Sequence, residues 1–319
     1  MKKEIFCTLG PSSINPKFLK FVQRNKVDLL RINMSHVNLT QLTKIIKFVR
    51  KFTNIPLCID TEGAQIRTKT NKKKFFKIKS SFKIHEKKGL FNFYPNEIFK
   101  KLKKGDILDI GFTGLEVKIA NKNNKYLKCN VLRQGYFENN KGVHLKNRKI
   151  KINYLTKKDF DAIKIGKQNK IKNYALSFTN NKDDVLRFSK LLKKENKIFK
   201  LETKSALNNL NQILRLGNNF LIDRGDLSKD ISIEYVPLAQ RNILLKAKQF
   251  KKNIYVATNF LETMITNAIP TRGEVNDIYN TLELGAKGLV LAAETAIGKY
   301  PDECIKVLKK IIKIYSKHN

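Results

Sequence analysis

Cysteine is scarce in this chain of 319 residues: Cys7, Cys58, Cys129 and Cys304 stand far apart, so there is no Cys-x-x-Cys pair for a metal or a redox couple. The simple reading is a reduced protein of the cytoplasm. Proline (7) and glycine (15) are also few, which argues against a disordered or fibrous chain. No run of roughly 20 apolar residues occurs and Met1-Lys2-Lys3-Glu4 opens no secretory stretch, so no membrane partner is expected. The histidines, His36, His85, His144 and His318, show no metal-ligand spacing. A phosphate loop, a glycine-rich dinucleotide fingerprint and a Gly-x-Ser-x-Gly elbow are all missing.

Acidic residues are outnumbered, 27 against 65 basic, for a formal net charge of +38. Such an imbalance suits a polyanion partner. The alternative is compositional: Lys is spread along the whole chain together with Asn and Ile, as an AT-rich genome would produce. Basic residues form only short runs such as Lys72-Lys73-Lys74, with no aromatic-interleaved basic motif, which argues against nucleic acid as the main partner.

What is present is a repeated alternation. Hydrophobic residues make up 41% of the chain, enough for a sizeable core. Apolar runs predict strands at Ile5–Gly10, Asp28–Met34, Pro56–Thr61, Asn173–Thr179, Lys197–Thr203, Asn219–Leu227, Asn253–Asn259 and Gly288–Glu294. Amphipathic stretches such as Val236–Phe250 and Pro301–Ser316 lie between many of them. Eight near-continuous runs separated by helical patterns predict an α/β fold, a closed parallel (β/α)8 TIM barrel. From about Lys69 to Arg148 the pattern changes to short strands and turns, read as an inserted all-β domain.

Barrel enzymes carry their chemistry at the carboxyl ends of the strands. The second strand ends Arg31-Ile32-Asn33-Met34-Ser35-His36, where alternation turns positions 31, 33 and 35 to one face. The third ends Asp60-Thr61-Glu62-Gly63, with Arg67 soon after; two arginines suit phosphate oxygens, or ordinary salt bridges at a barrel rim. The fifth ends Lys200-Leu201-Glu202, with Lys and Glu on one face, and the sixth ends Arg224-Gly225-Asp226. Glu202 and Asp226 on adjacent strands make a plausible Mg2+ or Mn2+ site, with Lys200 placed to stabilise a phosphoryl group. A structural network of ion pairs fits the same residues. Thr258 ends the seventh strand and Glu294-Thr295 the eighth.

In order, Cys7-Thr8-Leu9-Gly10-Pro11-Ser12-Ser13, Arg31 to His36, Asp60 to Thr68, Lys200-Leu201-Glu202, Arg224 to Leu227, Ala257 to Met264, Pro270-Thr271-Arg272 and Glu294-Thr295-Ala296 resemble the signatures of the pyruvate kinase family. The resemblance runs along nearly the whole chain. It implies a barrel of residues 1–68 and 150–319 and a lid domain of 69–149 that closes over a nucleotide. It implies phosphoryl transfer from phosphoenolpyruvate to ADP, giving pyruvate and ATP. Glu202 and Asp226 would ligate Mg2+ or Mn2+, and Asn33, Ser35, Asp60 and Thr61 would hold K+, with Ser177 nearby. Lys200 would neutralise the phosphoryl group and the enolate. The amides of Gly225 and Asp226 would hold the substrate carboxylate, and Thr258 would lie near the methyl carbon. Arg31 and Arg67 would bind phosphate, with Thr8 and His36 towards the nucleotide.

Four departures stand out. The chain ends after the eighth barrel helix, where the family usually continues into a third domain of effector sites and subunit contacts; a homo-oligomer is neither specified nor excluded. Asp109-Ile110-Gly111 replaces an Asp-Asp-Gly turn, from which Ile110→Asp is expected to improve the KM for ADP. Ala64-Gln65 replaces Pro-Glu, which touches the K+ requirement, and Ala292-Ala293 replaces Ser-Gly ahead of Glu294-Thr295, which touches the proton relay. These leave two other readings: a relative that uses the same site for a different reaction, and a catalytically silent binding protein.

Overall fold

The computed structural model describes residues 2–63, 65–111, 114–148, 150 and 152–318. Ala64 of the Ala64-Gln65 departure lies outside the described residues. The chain forms two compact units, Met1–Gly63 with Lys157–Asn319, and Ala64–Thr156.

The first unit is the expected (β/α)8 architecture. Its strands are β1 Glu4–Thr8, β2 Leu29–Asn33, β3 Leu57–Asp60, β4 Asn173–Leu176, β5 Asn196–Leu201, β6 Asn219–Asp223, β7 Asn253–Ala257 and β8 Gly288–Leu291. They pair in parallel, and β8 pairs back onto β1 to close the ring. Helices cover the outside, so both faces of each strand are buried, which is why the strands read as unbroken apolar runs.

Side chains alternate between lumen and helix layer. One buried cluster takes a residue from every strand: Phe6, Leu29, Cys58, Ala175, Ile198, Leu221, Tyr255 and Val290. Large and small side chains fill the lumen together; the rings of Phe6 and Tyr255 stack with centroids 4.4 Å apart. Each large side chain buried here contributes roughly 1.5–3 kcal/mol. Two residues further on, the same face turns polar: Thr8, Arg31, Asp60, Ser177, Lys200 and Asp223 are all buried. The packed apolar layer is the floor on which the polar layer stands.

The strands end sooner than the apolar runs predict. β6 stops at Asp223, and Arg224–Asp230 is a helix; β8 stops at Leu291 and Ala293–Ala296 is helical. An apolar run cannot mark where a strand gives way to the buried face of the next helix, and Leu227 is such a residue. Ser35 likewise lies in the turn after β2, where its amide donates to the Asn33 side chain at 2.9 Å, so positions 31, 33 and 35 do not form one strand face. Pro270-Thr271-Arg272 is a helix start: Thr271 and Glu274 form a reciprocal cap on Arg272–Glu283.

The chain leaves the barrel after β3 and returns at the helix Lys157–Gln168. Buried Asp159 ties the two points together, accepting from the amides of Glu62 at 2.7 Å and Gly63 at 3.1 Å.

The second unit is a closed barrel in its own right. Its ring runs Tyr126–Arg133, Ser81–His85, Asn92–Tyr94, Ile66–Lys69, Gly142–Leu145, Ile107–Ile110 and Leu115–Lys122, with a two-stranded ribbon of Lys74–Phe76 and Gly135–Phe137 beside it. One four-residue helix, Ile98–Lys101, interrupts the strands. The interior is a phenylalanine cluster of Phe76, Phe82, Phe91, Phe93, Phe99 and Phe137 with aliphatic neighbours. Ile110 belongs to that cluster and is fully buried, whereas Asp109 faces outward and pairs with Arg133 at 3.2 Å. The expectation that Ile110→Asp restores a ligand contact is therefore overturned: the new carboxylate would enter an apolar core.

Among the described residues no helix is long and apolar enough to cross a membrane.

Candidate active site

Alternation along β5 brings Lys200 and Glu202 to the lumen side while Leu201 packs away from it. Lys200 is 3% exposed. Its Nζ lies 3.1 Å from Glu202 Oε2, 3.3 Å from Asp223 Oδ2 and 3.5 Å from Asp60 Oδ2. It also donates to the Ser177 hydroxyl at 3.3 Å. Arg31 reaches the same Asp60 oxygen at 3.3 Å. Three buried carboxylates thus surround two buried cations, contributed by β2, β3, the end of β5 and β6.

Burial favours the neutral form of each group, and the neighbours decide the outcome. Burial pulls the Lys200 pKa down, but the carboxylates of Asp60, Glu202 and Asp223 raise it further, so the ammonium persists. Burial pushes Glu202 up; Lys200 opposes this, while Asp226, Asp223 and Asp60 add to it. Asp223 is held below the usual carboxylate range: burial raises it, but Lys200, Arg31 and the Thr258 hydroxyl lower it more.

The acids outnumber the cations, and oxygens of Glu202, Asp223 and Asp226 lie within 4.8 Å of one another. Glu202 Oε1 accepts from the Phe178 amide at 2.6 Å, whereas Oε2 is buried facing the Lys200 ammonium at 3.1 Å. A hard divalent cation fits such an all-oxygen, electron-rich set. Asp226 is part-exposed, and its Oδ1 takes the Lys229 ammonium at 2.7 Å.

Thr258 follows β7 at φ +82°, with Asn259 at +61°. A β-branched residue in that region is a true outlier, held there by its surroundings. Arg224 holds it there, donating to the Thr258 carbonyl from Nε at 3.0 Å and Nη2 at 2.6 Å. The Arg224 Nη1 pairs with Asp277 at 2.6 Å, and its guanidinium lies 4.2 Å from the Phe260 ring centre. Gly225 fits beneath: a Cβ there would meet Thr258 Cγ2 at 2.9 Å.

The other expected positions are more dispersed. Thr61 Oγ1 accepts from the Ser177 amide at 3.0 Å, and the Ser177 hydroxyl lies 3.2 Å from Asp60 Oδ1 and 2.7 Å from the Thr61 carbonyl. Thr8 is a wall residue, its hydroxyl donating to the Leu291 carbonyl at 2.8 Å. His36 is exposed in the turn after β2. Arg67 lies on a strand of the second unit and donates to the Asn140 carbonyl at 3.1 Å. Glu294 is a backbone anchor, accepting from the amides of Ala292 at 2.7 Å and Leu261 at 3.3 Å.

Sequence reasoning missed Asp223. It sat inside a run read as one strand to Leu227. Yet it stands two residues after the lumen residue Leu221, as Lys200 stands two after Ile198. The same alternation that selected Lys200 and Glu202 would have selected it.

Fold and site together define a (β/α)8 barrel with its polar residues gathered at the carboxyl ends of the strands. Comparison with known proteins narrows the class. The family described as "Pyruvate kinase, barrel domain" matches residues 1–305. A pyruvate kinase of Thermotoga maritima is 33% identical over 97% of this chain and 70% of its own length. One from Methanocaldococcus jannaschii is 33% identical over 99% of this chain and 70% of its own. One from Staphylococcus epidermidis is 30% identical over 97% of this chain, which spans 56% of that protein. The chain belongs to the pyruvate kinase family.

Proposed function

We propose that the chain transfers the phosphoryl group of phosphoenolpyruvate to ADP, yielding pyruvate and ATP. The observation that carries this reading is Lys200: a buried ammonium held among Asp60, Glu202 and Asp223 at the strand ends. Phosphoryl transfer needs little covalent help from the protein and much fixed positive charge where negative charge builds. Lys200 supplies it to the phosphoryl group in flight and to the enolate oxygen left behind, with Arg31 beside it for phosphate. The amides of Gly225 and Asp226 hold the substrate carboxylate, and Thr258 stands at the methyl carbon. Thr8 and His36 are assigned to the nucleotide side.

Glu202 and Asp226 are the proposed ligands of Mg2+ or Mn2+. They would hold the ion, and it would supply positive charge to offset the negative charge of the substrate. Asn33, Ser35, Asp60 and Thr61 are proposed for K+, since all four side chains offer oxygen donors. A cytoplasmic setting is proposed from the four free, buried cysteines.

The test is turnover with ADP, phosphoenolpyruvate and Mg2+, coupled to lactate dehydrogenase. ADP-dependent pyruvate formation is expected. Binding of metal and phosphoenolpyruvate without transfer to ADP would replace this reading by another reaction at the same site; no binding of either would end it.

A further inference from the structure

Asp223 ends β6 at the meeting point of two groups given roles above. Its Oδ2 faces Lys200 at 3.3 Å, and its Oδ1 accepts the Thr258 hydroxyl at 2.7 Å. Thr258 is thereby fixed from three sides. Arg224 pins its carbonyl, the bare Gly225 backbone packs under its methyl, and Asp223 takes its hydroxyl. The same Cβ that would strike the Thr258 methyl would lie 3.5 Å from Asp223 Oδ1, so the three residues share one closely packed corner. This corner holds a strained backbone, φ +82°, that threonine does not adopt unaided.

A threonine hydroxyl has one hydrogen and two lone pairs. Once the hydrogen is given to a carboxylate, the oxygen can offer a ligand only its lone pairs, and its rotamer is set by the partner. A charge-assisted bond of this kind is roughly twice as strong as a neutral one, enough to select one orientation.

We propose that Asp223 is a positioning residue for Thr258: it fixes the direction of the Thr258 hydroxyl, and through it the rate of the proton step at the methyl carbon. The inference rests on the pyruvate kinase-type reading for the identity of that carbon. Asp223 remains a carboxylate and Thr258 keeps its own hydrogen throughout: the lone pair of the fixed hydroxyl accepts from a water, and that water gives its proton to the methyl carbon and leaves as hydroxide, reprotonated from solvent. Asparagine at this position keeps an acceptor oxygen and loses the charge; alanine loses both.

The experiment measures exchange of the pyruvate methyl hydrogens with D2O, with Mn2+ present. It compares wild type, Asp223→Ala, Asp223→Asn and Thr258→Val, and adds both Asp223 changes in the Thr258→Val background. Asp223→Ala should slow exchange about tenfold or more, Asp223→Asn should recover most of that loss, and neither should add to Thr258→Val. Equal loss in Asp223→Ala and Asp223→Asn would show that the charge matters, not the acceptor, and would overturn the proposal. So would a further loss in the Thr258→Val background. A tenfold fall in Mn2+ affinity for Asp223→Asn, read by electron paramagnetic resonance, would make Asp223 a metal ligand instead.

A second readout does not depend on turnover. The methyl resonance of Thr258, identified by its absence in Thr258→Val, should shift in Asp223→Ala and return towards the wild-type position in Asp223→Asn. An unmoved resonance overturns the proposal. If the wild type exchanges no methyl hydrogen while the resonance responds as expected, the functional reading falls and the Asp223–Thr258 link stands.

Discussion

The two barrels of this chain enclose space in opposite ways. The eight-stranded barrel packs an apolar floor and then, two residues further along β2, β3, β5 and β6, buries Arg31, Asp60, Lys200 and Asp223, with Glu202 two residues beyond Lys200. The small barrel fills its interior with phenylalanines and aliphatics; Asp109 turns out towards Arg133, and among its described residues one charged side chain, Asp106, is buried, paired with Arg148 at 2.7 Å. Ionised groups taken out of water cost several kcal/mol each unless paired. A barrel that buries five of them together therefore gives up stability there, as sites built for binding and chemistry do. The small barrel makes one such concession, the Asp106–Arg148 pair, while its central cluster is apolar.

Substitutions sharpen that contrast. Lys200→Met keeps the side-chain volume but leaves Asp60, Glu202 and Asp223 without that cation, so it should destabilise by roughly 3 kcal/mol and, in the folded fraction, lower kcat by about 10³-fold or more in the coupled assay. A variant within tenfold of wild type would place the main positive charge elsewhere. In the small barrel the cost falls on the fold. Ile110→Asp should destabilise by roughly 3 kcal/mol or more, read as a shift of the urea midpoint. A stable variant would mean that the interior is wetter than its phenylalanines suggest. Glu202→Gln keeps the shape of the site and removes one acid, so Mn2+ affinity should fall at least about tenfold with a nearly unchanged melting temperature. Unchanged affinity would move the cation to Asp223 and Asp226.

The smallest expected effect spans both barrels. Burial pushes all four thiols up, those of Cys129 and Cys304 to about 12, so the thiolate is scarce at neutral pH. Native protein should therefore give no rapid reaction with Ellman's reagent, and denatured protein should give all four cysteines of the sequence. A fast thiol in the native state would mark a local opening of one barrel.

The large barrel was legible because burial on both faces writes itself as continuous apolar runs, and because period two carries Lys200 and Glu202 to one side. Asp223 escaped because a strand carried on to the apolar Leu227 hides the point, at Asp223 itself, where β6 gives way to a helix. Ile110 misleads for a different reason: the resemblance places it in a turn, while Leu108 and Ile110 alternate with Asp109 in the manner of a strand with an apolar inner face. Ser35 and Thr271 show a third limit: a polar residue just past a strand serves a turn or a helix cap as readily as a ligand, and only its hydrogen-bond partner decides.

Asp159 carries a consequence beyond the site. One carboxylate grips the amides of Glu62 and Gly63, where the chain departs, from the first turn of the helix by which it comes back. The ring of eight strands is stitched shut at that seam whatever travels between. Because closing a longer excursion costs only slightly more entropy, this seam is where the barrel can accept a larger, smaller or foreign passenger without reopening.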